Sequence, residues 1–500
     1  MKNLTIAFRT AIGLAMSIAL LAGQPAAAGQ DGWSNHLPGN RMVTLVGMNG
    51  EMTDKSDLNK NHMGSPDWNS CASIGAGACA LNQTNDEKGW IMASAVLPLC
   101  DGSNTGYCVE NVNIYQQGQE VTPAKYLGEA PGNKFDAQPE FNLPRGGGPL
   151  IFDAPGAPHA GGGTTYAVIA NYVMGCSAPD YKCGHNAFYI TVQPFTNGSN
   201  PLGYIGGERF DFAAGTRVGL SVQVPQEIGG WFTGRLKDPT IDIAAVKGKP
   251  QFSEITLDAE SIAVNRLSVN VPNDTLTPQM KALAMPPDGS FAIESGFDTA
   301  ISWVEELRPY AKDTATGQIN VWQLKSIFLP ETSCYPAGQV NGLVTTNAVG
   351  YSWNPPAFED GYLNYKMGGL HYNKDGSLAH GTYDLIMRAS VARCLYQFSS
   401  APISATIQIT APDGHNEEIA TSTVSEKNGW LKLAAYGFTF SSPTAKVKIQ
   451  GEKEGSSTPS PSSDTKPVAK TATITCVKGK LVKKVTGKAP KCPAGYKKKS

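Results

Sequence analysis

Hydrophobic and polar positions alternate with period two at several places along this chain. In TRVGLSVQVP, Val218, Leu220, Val222 and Val224 fall on one side. In ATIQIT, Ala405, Ile407 and Ile409 alternate with Thr406, Gln408 and Thr410, and in AKVKIQ the residues Ala445, Val447 and Ile449 share a side. FYITVQPF, PTIDIAAV and NRLSVNVP carry similar patterns. Successive side chains of a strand point to opposite faces, so each segment reads as a half-buried strand. Asp413-Gly414, just after ATIQIT, adds a tight-turn signal. Helical spacing is scarce. DTAISWVEELRPY places Ala300, Trp303, Val304 and Leu307 on one helical face, with Asp298 as N-cap and Pro309 as stop. TPQMKALAMP offers a shorter helix, with Thr277 as cap, Pro278 in the first position and Pro286 as stop. These patterns predict a mainly β body of sandwich type.

A length of 500 residues allows two or three domains. Two stretches repeat one order of signals. LSVQVPQEIGGWFTGRLKDPTIDI and STVSEKNGWLKLAAYGFTFSSPTAKVKI each run strand, Gly-Trp, apolar stretch, Pro-Thr, alternating strand. A duplication makes Trp231 equivalent to Trp430 and Pro239-Thr240 equivalent to Pro443-Thr444, with a boundary near Pro250. Chance similarity between Gly-rich β segments is the rival account. The expected layout is two β-sandwich-like domains over 29–250 and 251–450, with few short helices. A Ser/Pro-rich linker follows over 451–470, extended by its composition. The end, 471–500, is a small basic module in which TITCV and KLVKKV pair as strands.

Composition then fixes a compartment. Lys2 and Arg9 precede an apolar run from Ala11 to Gly23, and Ala26 and Ala28 form a small-x-small site. This is the layout of a secretory signal peptide over 1–28, cut after Ala28. The apolar run is shorter than the ~20 residues of a spanning helix. No later segment is apolar enough to span, so no transmembrane segment is expected in the mature chain. Ten cysteines, an even number in an exported chain, read as disulfides. Ten thiols allow too many pairings for connectivity to be derived. Proximity along the chain orders them as Cys71 with Cys79, Cys100 with Cys108, Cys176 with Cys183, Cys334 with Cys394, and Cys476 with Cys492. The chain contains no C-x-x-C, so no zinc ribbon is expected.

Charge is segregated. Of 41 Lys and Arg, 2 lie in the first 28 residues and 11 lie in Thr465–Ser500, which holds no acid. That leaves 28 basic against 42 acidic residues between them, a net charge of −14. An acidic body argues against nucleic acid as partner, and the basic end suggests a tail with a partner of its own.

The tail TITCVKGKLVKKVTGKAPKCPAGYKKK resembles a C-terminal module carried by many exported actinobacterial proteins. GTRVGLSVQVPQEIGGWFTGRLKDP and CLYQFSSAPISATIQI, with VSEKNGWLKLAAYGFTFSSP, resemble the body of an uncharacterised secreted family from such bacteria. The resemblance covers most of the mature chain. It implies an exported protein with a modular tail and brings no catalytic residues.

Local motifs for chemistry are few. The sequence holds no nucleophile elbow, HExxH helix, P-loop or GxGxxG turn. DKSDLNKNHMG places Asp57, Asn59 and Asn61 at alternate positions, as a calcium loop does. However, His62 stands where that loop needs Gly and Trp68 where it needs Glu, so a polar surface loop is the better reading. HYNKDGSLAHGTYD gathers His371, Asp375, His380 and Asp384, which is metal or acid–base material. Asp375-Gly376 is equally a hairpin turn whose histidines are decoration. The Gly-rich segments around Arg145 and His159 read as loops. LPETS, Leu329 to Ser333, has the look of a sortase signal but lies mid-chain, without the final Gly or a following apolar segment. In GYSWNPPAFEDGYLNY, Tyr351, Trp353, Phe358, Tyr362 and Tyr365 sit in a Pro- and Gly-rich stretch. Exposed, such rings stack on sugars; the alternative is a loop that folds them inward.

Function is therefore expected from organisation. The leading reading is a secreted, non-catalytic β protein at the cell surface. Lys478, Lys480, Lys483, Lys484, Lys488, Lys491, Lys497, Lys498 and Lys499 would hold it to anionic envelope polymers or lipid headgroups. The alternatives are a glycan-binding protein using Tyr351, Trp353, Phe358 and Tyr362, and a glycan hydrolase whose two carboxylates come from separate strands. No cofactor or catalytic residue is expected from any motif.

Overall fold

The computed structural model describes residues 40–498 except 47–55, 63–67, 77–78, 80–88, 102–105, 132, 178–179, 196–209, 227, 283–289, 295–297, 328–330, 398–403, 411–415, 421–422, 441–443, 451–471, 479–480, 488–490 and 493–495. The expected signal peptide and linker lie outside the described residues. The chain forms two compact units, Met1–Glu454 and Gly455–Ser500. Strands dominate, and the described α-helices are Pro278–Ala282, Asp298–Leu307 and Ala389–Tyr396.

The large unit is organised around one 16-stranded sheet. Its central strands include Gly230–Arg235, which pairs antiparallel with Gly317–Ile327 and parallel with Val340–Thr346. The latter continues through His380–Arg388 to Trp430–Thr439. Consecutive residues of these strands enter different cores. Phe232, Leu343, Ile386 and Trp430 join one, whereas Trp231, Val344, Leu385 and Leu431 join the other. The central sheet is therefore covered on both faces, which explains why all six residues of Gly230–Arg235 and all seven of Val340–Thr346 are buried.

A four-stranded sheet covers the first face. Its order is Lys237–Val246, Lys249–Glu260, Thr216–Pro225, Cys108–Gln116. Val218, Leu220, Val222 and Val224, the alternating set of the sequence, all enter this core together with Ile255 and Leu257 of the neighbouring strand. A six-stranded sheet that includes Tyr362–Gly368, Ser404–Thr410 and Thr444–Gln450 covers the second face. Leu363, Tyr365, Ala445, Val447 and Ile449 pack there. The helix Asp298–Leu307 closes a third, smaller core, and its four apolar positions Ala300, Trp303, Val304 and Leu307 are at most 4% exposed. Thr277 caps the helix Pro278–Ala282 as expected, its Oγ1 accepting from the Met280 N–H at 3.2 Å.

Three expectations change. The break near Pro250 falls at the exposed start of the continuous strand Lys249–Glu260, within one compact unit. Two sandwiches are present, but they share the central sheet, so neither is a separate domain. The internal repeat does not superpose in pairing. Thr216–Pro225 and Gly230–Arg235 lie in different sheets, whereas Thr423–Lys427 and Trp430–Thr439 form a hairpin. Trp231 and Trp430 also point into opposite cores. Asp57–His62 is a strand paired with Gly89–Val96, neither a calcium loop nor a surface loop.

Candidate functional site

The small unit is a three-stranded sheet. Ala472–Lys478 pairs antiparallel with Leu481–Gly487 and with Lys497–Lys498, so TITCV and KLVKKV do form a hairpin. The register sets Cys476 opposite Lys483 on one side and Lys498 on the other. Thr475 lies opposite Lys484 and Val477 opposite Lys497. Cys492 is disulfide-bonded, and Lys491, Lys497 and Lys498 are exposed. Lys480, Lys488 and Lys499 lie outside the described residues. So short a sheet has little apolar area to bury and depends on covalent closure.

The other disulfides follow the expected order: Cys71–Cys79, Cys100–Cys108, Cys176–Cys183 and Cys334–Cys394. Cys176 and Cys183 face each other across one hairpin. Cys334–Cys394 spans 60 residues and fixes the helix Ala389–Tyr396 to a distant loop.

The aromatic stretch folds inward. Tyr351 is 0% and Tyr365 1% exposed, both in the second core. The Arg235 guanidinium lies 4.4 Å from the centre of the Tyr351 ring. Trp353 packs against the same core beneath Lys325, whose Nζ is 4.6 Å from its ring. Tyr362 is half-buried and Phe358 rests edge-on against Tyr396 at 4.8 Å. Phe358 stays 39% exposed and Trp353 and Tyr362 are half-buried, whereas Tyr351 and Tyr365 have no face to offer a sugar. The cause is Arg235. Its fully buried guanidinium donates to the carbonyls of Thr346, Ala348 and Val349 and draws Tyr351 over itself. Burial lowers its pKa to about 10, against the pull of Tyr351 and Tyr365, so it stays charged at neutral pH.

The four candidates of HYNKDGSLAHGTYD are dispersed. His371 Nδ1 bonds the Asp313 carboxylate, and Arg308 reaches the same carboxylate at 3.7 Å. Asp375 accepts from the Ser377 N–H at 2.9 Å in an exposed turn, with Gly376 at φ +82°. His380 Nδ1 donates to the Gly437 carbonyl at 3.1 Å. Asp384 is 0% exposed and turns toward the first face of the central sheet. It accepts from the Tyr436 hydroxyl at 2.6 Å and from the Asp238 N–H at 3.3 Å. Among the described residues no group of three His, Cys, Asp or Glu side chains is placed to hold a metal.

Asp384 instead belongs to a charged seam that the sequence did not reveal. Asp238 bridges Lys432 at 2.5 Å and Arg217 at 3.4 Å, and Arg217 binds Asp258 at 2.6 Å. The Tyr115 hydroxyl donates to Asp258 at 2.7 Å. The seam lies where the edge strand Lys237–Val246 meets the central sheet. Asp238 adopts φ +49°, a left-handed backbone that an Asp tolerates better than most residues. Burial raises the Asp384 pKa to about 6, against the Tyr436 hydrogen bond and Lys432. Burial and the Asp384 charge raise that of Tyr436. The members of the seam come from six strands, so no local motif announces them.

The Gly-rich segment at Arg145 has a structural task. Glu129 binds Arg145 at 3.0 Å and Lys134 at 3.1 Å, and accepts from the Gly148 N–H. Burial opposes its ionisation, but Gly148, Lys134 and Arg145 outweigh it and hold the carboxyl below its ordinary range. A Cβ on Gly147 would stand 2.5 Å from a Glu129 oxygen. His159, in the other Gly-rich loop, is 3% exposed and stacks on Phe210 at 4.9 Å. Burial lowers its pKa, against a hydrogen bond at Phe195. His380 also lines a cleft of about 220 Å³ with Asn265, Gln318, Asn347 and Asn373.

No protein-family model and no curated protein matches the chain. Among solved structures, a mutant of Bacillus subtilis oxalate decarboxylase OxdC aligns with 54% of this chain and 71% of its own. At 10% identity and a TM-score of 0.11 that likeness carries no argument. No helix among the described residues is long and apolar enough to cross a membrane.

Proposed function

We propose that this is an exported, surface-retained β protein whose basic C-terminal unit holds an acidic, disulfide-braced body at an anionic envelope. The observation that carries the reading is the second unit, Gly455–Ser500, whose three strands between Ala472 and Lys498 lie in the stretch Thr465–Ser500 that has 11 lysines and no acid. Lysines at four register positions around Cys476 concentrate positive charge on one small scaffold. Charge of one sign without internal partners attracts polyanions over a distance set by ionic strength. The bonded cysteine supports an oxidising compartment.

A salt wash tests this. Cells displaying the full chain should release it progressively as salt rises, and a chain ending at Gly455 should appear in the medium without salt. Equal release of the two forms at every salt concentration rejects the tail as an electrostatic anchor.

A further inference from the structure

The cleft beside His380 differs in chemistry from both the charged seam and the tail. No Asp, Glu, Lys or Arg lines it. Its polar wall is a relay of amides running in one direction. Gln318 Nε2 donates to Asn265 Oδ1 at 3.2 Å, and Asn265 Nδ2 donates to Asn373 Oδ1 at 2.9 Å. Asn373 Nδ2 then donates to Ser377 Oγ at 3.0 Å and to the Leu378 carbonyl at 3.2 Å. An amide that accepts on one side turns its NH2 to the other, so each member fixes the next. Asn347 is held separately, donating to the His380 carbonyl at 2.9 Å and accepting from the Thr382 N–H at 2.8 Å. A carbonyl can only accept, so His380 Nδ1 carries a proton directed at Gly437.

This wall offers donors and acceptors side by side at fixed positions without net charge. Hydroxyl groups, which donate and accept at once, match it; a carboxylate or phosphate finds no cation. The volume of about 220 Å³ corresponds to roughly seven waters at ~30 Å³ each, room for one six-membered ring with its substituents. Leu378 lines the cleft, and Tyr372, its partner in an isolated antiparallel bridge, stands beside it outside the lining, so that the two side chains share a face. They are 41% and 51% exposed, among the most exposed large hydrophobics of the body. A tyrosine beside a neutral polar cleft suits the C–H face of a sugar ring.

We propose that this cleft binds one neutral saccharide unit, free or at the end of a glycan. Its hydroxyls meet Gln318, Asn265 and His380, and its ring face meets Tyr372 and Leu378. The site is independent of the envelope-anchoring tail.

The test is titration of the full chain with glucose, mannose, galactose and N-acetylglucosamine, and with glucuronic acid as a charged counterpart, read by calorimetry and saturation-transfer NMR. At least one neutral sugar should bind with a Kd on the order of 1 mM, as expected for so few contacting atoms. Gln318→Leu breaks the first link of the relay and Leu378→Trp closes the mouth. Each should weaken binding about tenfold, the worth of one or two hydrogen bonds or contacts. Melting temperatures should hold, because both side chains are exposed; if Gln318→Leu lowers its own, Leu378→Trp decides. Lys374→Ala, in the same turn but outside the lining, should bind as the parent does. The proposal falls if no neutral sugar binds, if Leu378→Trp binds as tightly as the parent, or if glucuronic acid is preferred.

Discussion

On the two faces of the central sheet, two buried ionisable side chains are handled by different means. On the second face Arg235 is enclosed by backbone carbonyls and the Tyr351 ring. On the first face Asp384 sits within a seam of opposite charges and hydroxyls that reaches the surface through Asp238 and Tyr436. Carbonyl oxygens cannot titrate, so the cation keeps its charge. The carboxylate moves toward neutrality because burial outweighs the Tyr436 hydrogen bond and the attraction of Lys432. Burial pushes both groups toward neutrality; the guanidinium starts from 12.5 and at about 10 stays charged at neutral pH, whereas the carboxyl rises from 3.8 to about 6 and titrates near it.

The largest effect should come from removing the enclosed cation. Arg235→Met removes the guanidinium that donates to three buried carbonyls and lies against the Tyr351 ring. The expected loss is about 3–5 kcal/mol, measured by denaturant unfolding, as for a buried ion site broken on one side. A loss below about 1 kcal/mol would erase the contrast between the faces.

The next effect is in pH. Asp384 titrates at about 6 in the folded chain against an ordinary 3.8. Between those values the folded state holds a proton that the unfolded state has released. This group therefore adds stability as pH falls through about 6, completes the gain below 3.8, and loses it on the way back up. The span is about 3 kcal/mol at ~1.4 kcal/mol per unit. Tyr436→Phe removes a hydrogen bond that favours the carboxylate, so the gain should begin at higher pH in thermal melts taken across that range. An unchanged profile in Tyr436→Phe would separate Asp384 from the seam. Glu129 works in the opposite sense, its support fading as pH falls below the ordinary carboxylate range.

The smallest effect should come from the rim of the seam. Lys432 binds Asp238, whose side chain is 49% exposed. Lys432→Met should cost about 1 kcal/mol or less in the same unfolding assay, less again at high salt.

The comparison also shows what the sequence could reveal. Thr216–Pro225 and the helix Asp298–Leu307 were readable because their apolar residues share one side; in the strand the other side carries Arg217, Gly219, Ser221 and Gln223, which leaves a period in the sequence although most of the strand is buried. Gly230–Arg235 and Val340–Thr346 are buried on both sides and carry no period. They even contain Arg235, Thr233 and Thr345, which locally argue for exposure. The helix Ala389–Tyr396 starts directly from a strand at Arg388, without a side-chain cap, and ends on Gln397 in the left-handed region where Gly is usual. The tail hairpin was legible because its signals are local. The inward fold of Tyr351 was not, since it depends on Arg235, far away along the chain. The charged seam was hidden for the same reason: Tyr115, Arg217, Asp238, Asp258, Asp384, Lys432 and Tyr436 meet only after folding.

The shared sheet has a consequence for how the chain is made. Gly230–Arg235 takes its parallel neighbour from Val340–Thr346, more than a hundred residues later, and the sheet continues to Trp430–Thr439. Synthesis runs from the N-terminus, so a nascent chain holding only the first half has an apolar sheet with one cover and no neighbour for its last strand. Such a half cannot rest as a finished piece. The central sheet cannot be completed until nearly the whole length of the body has been delivered.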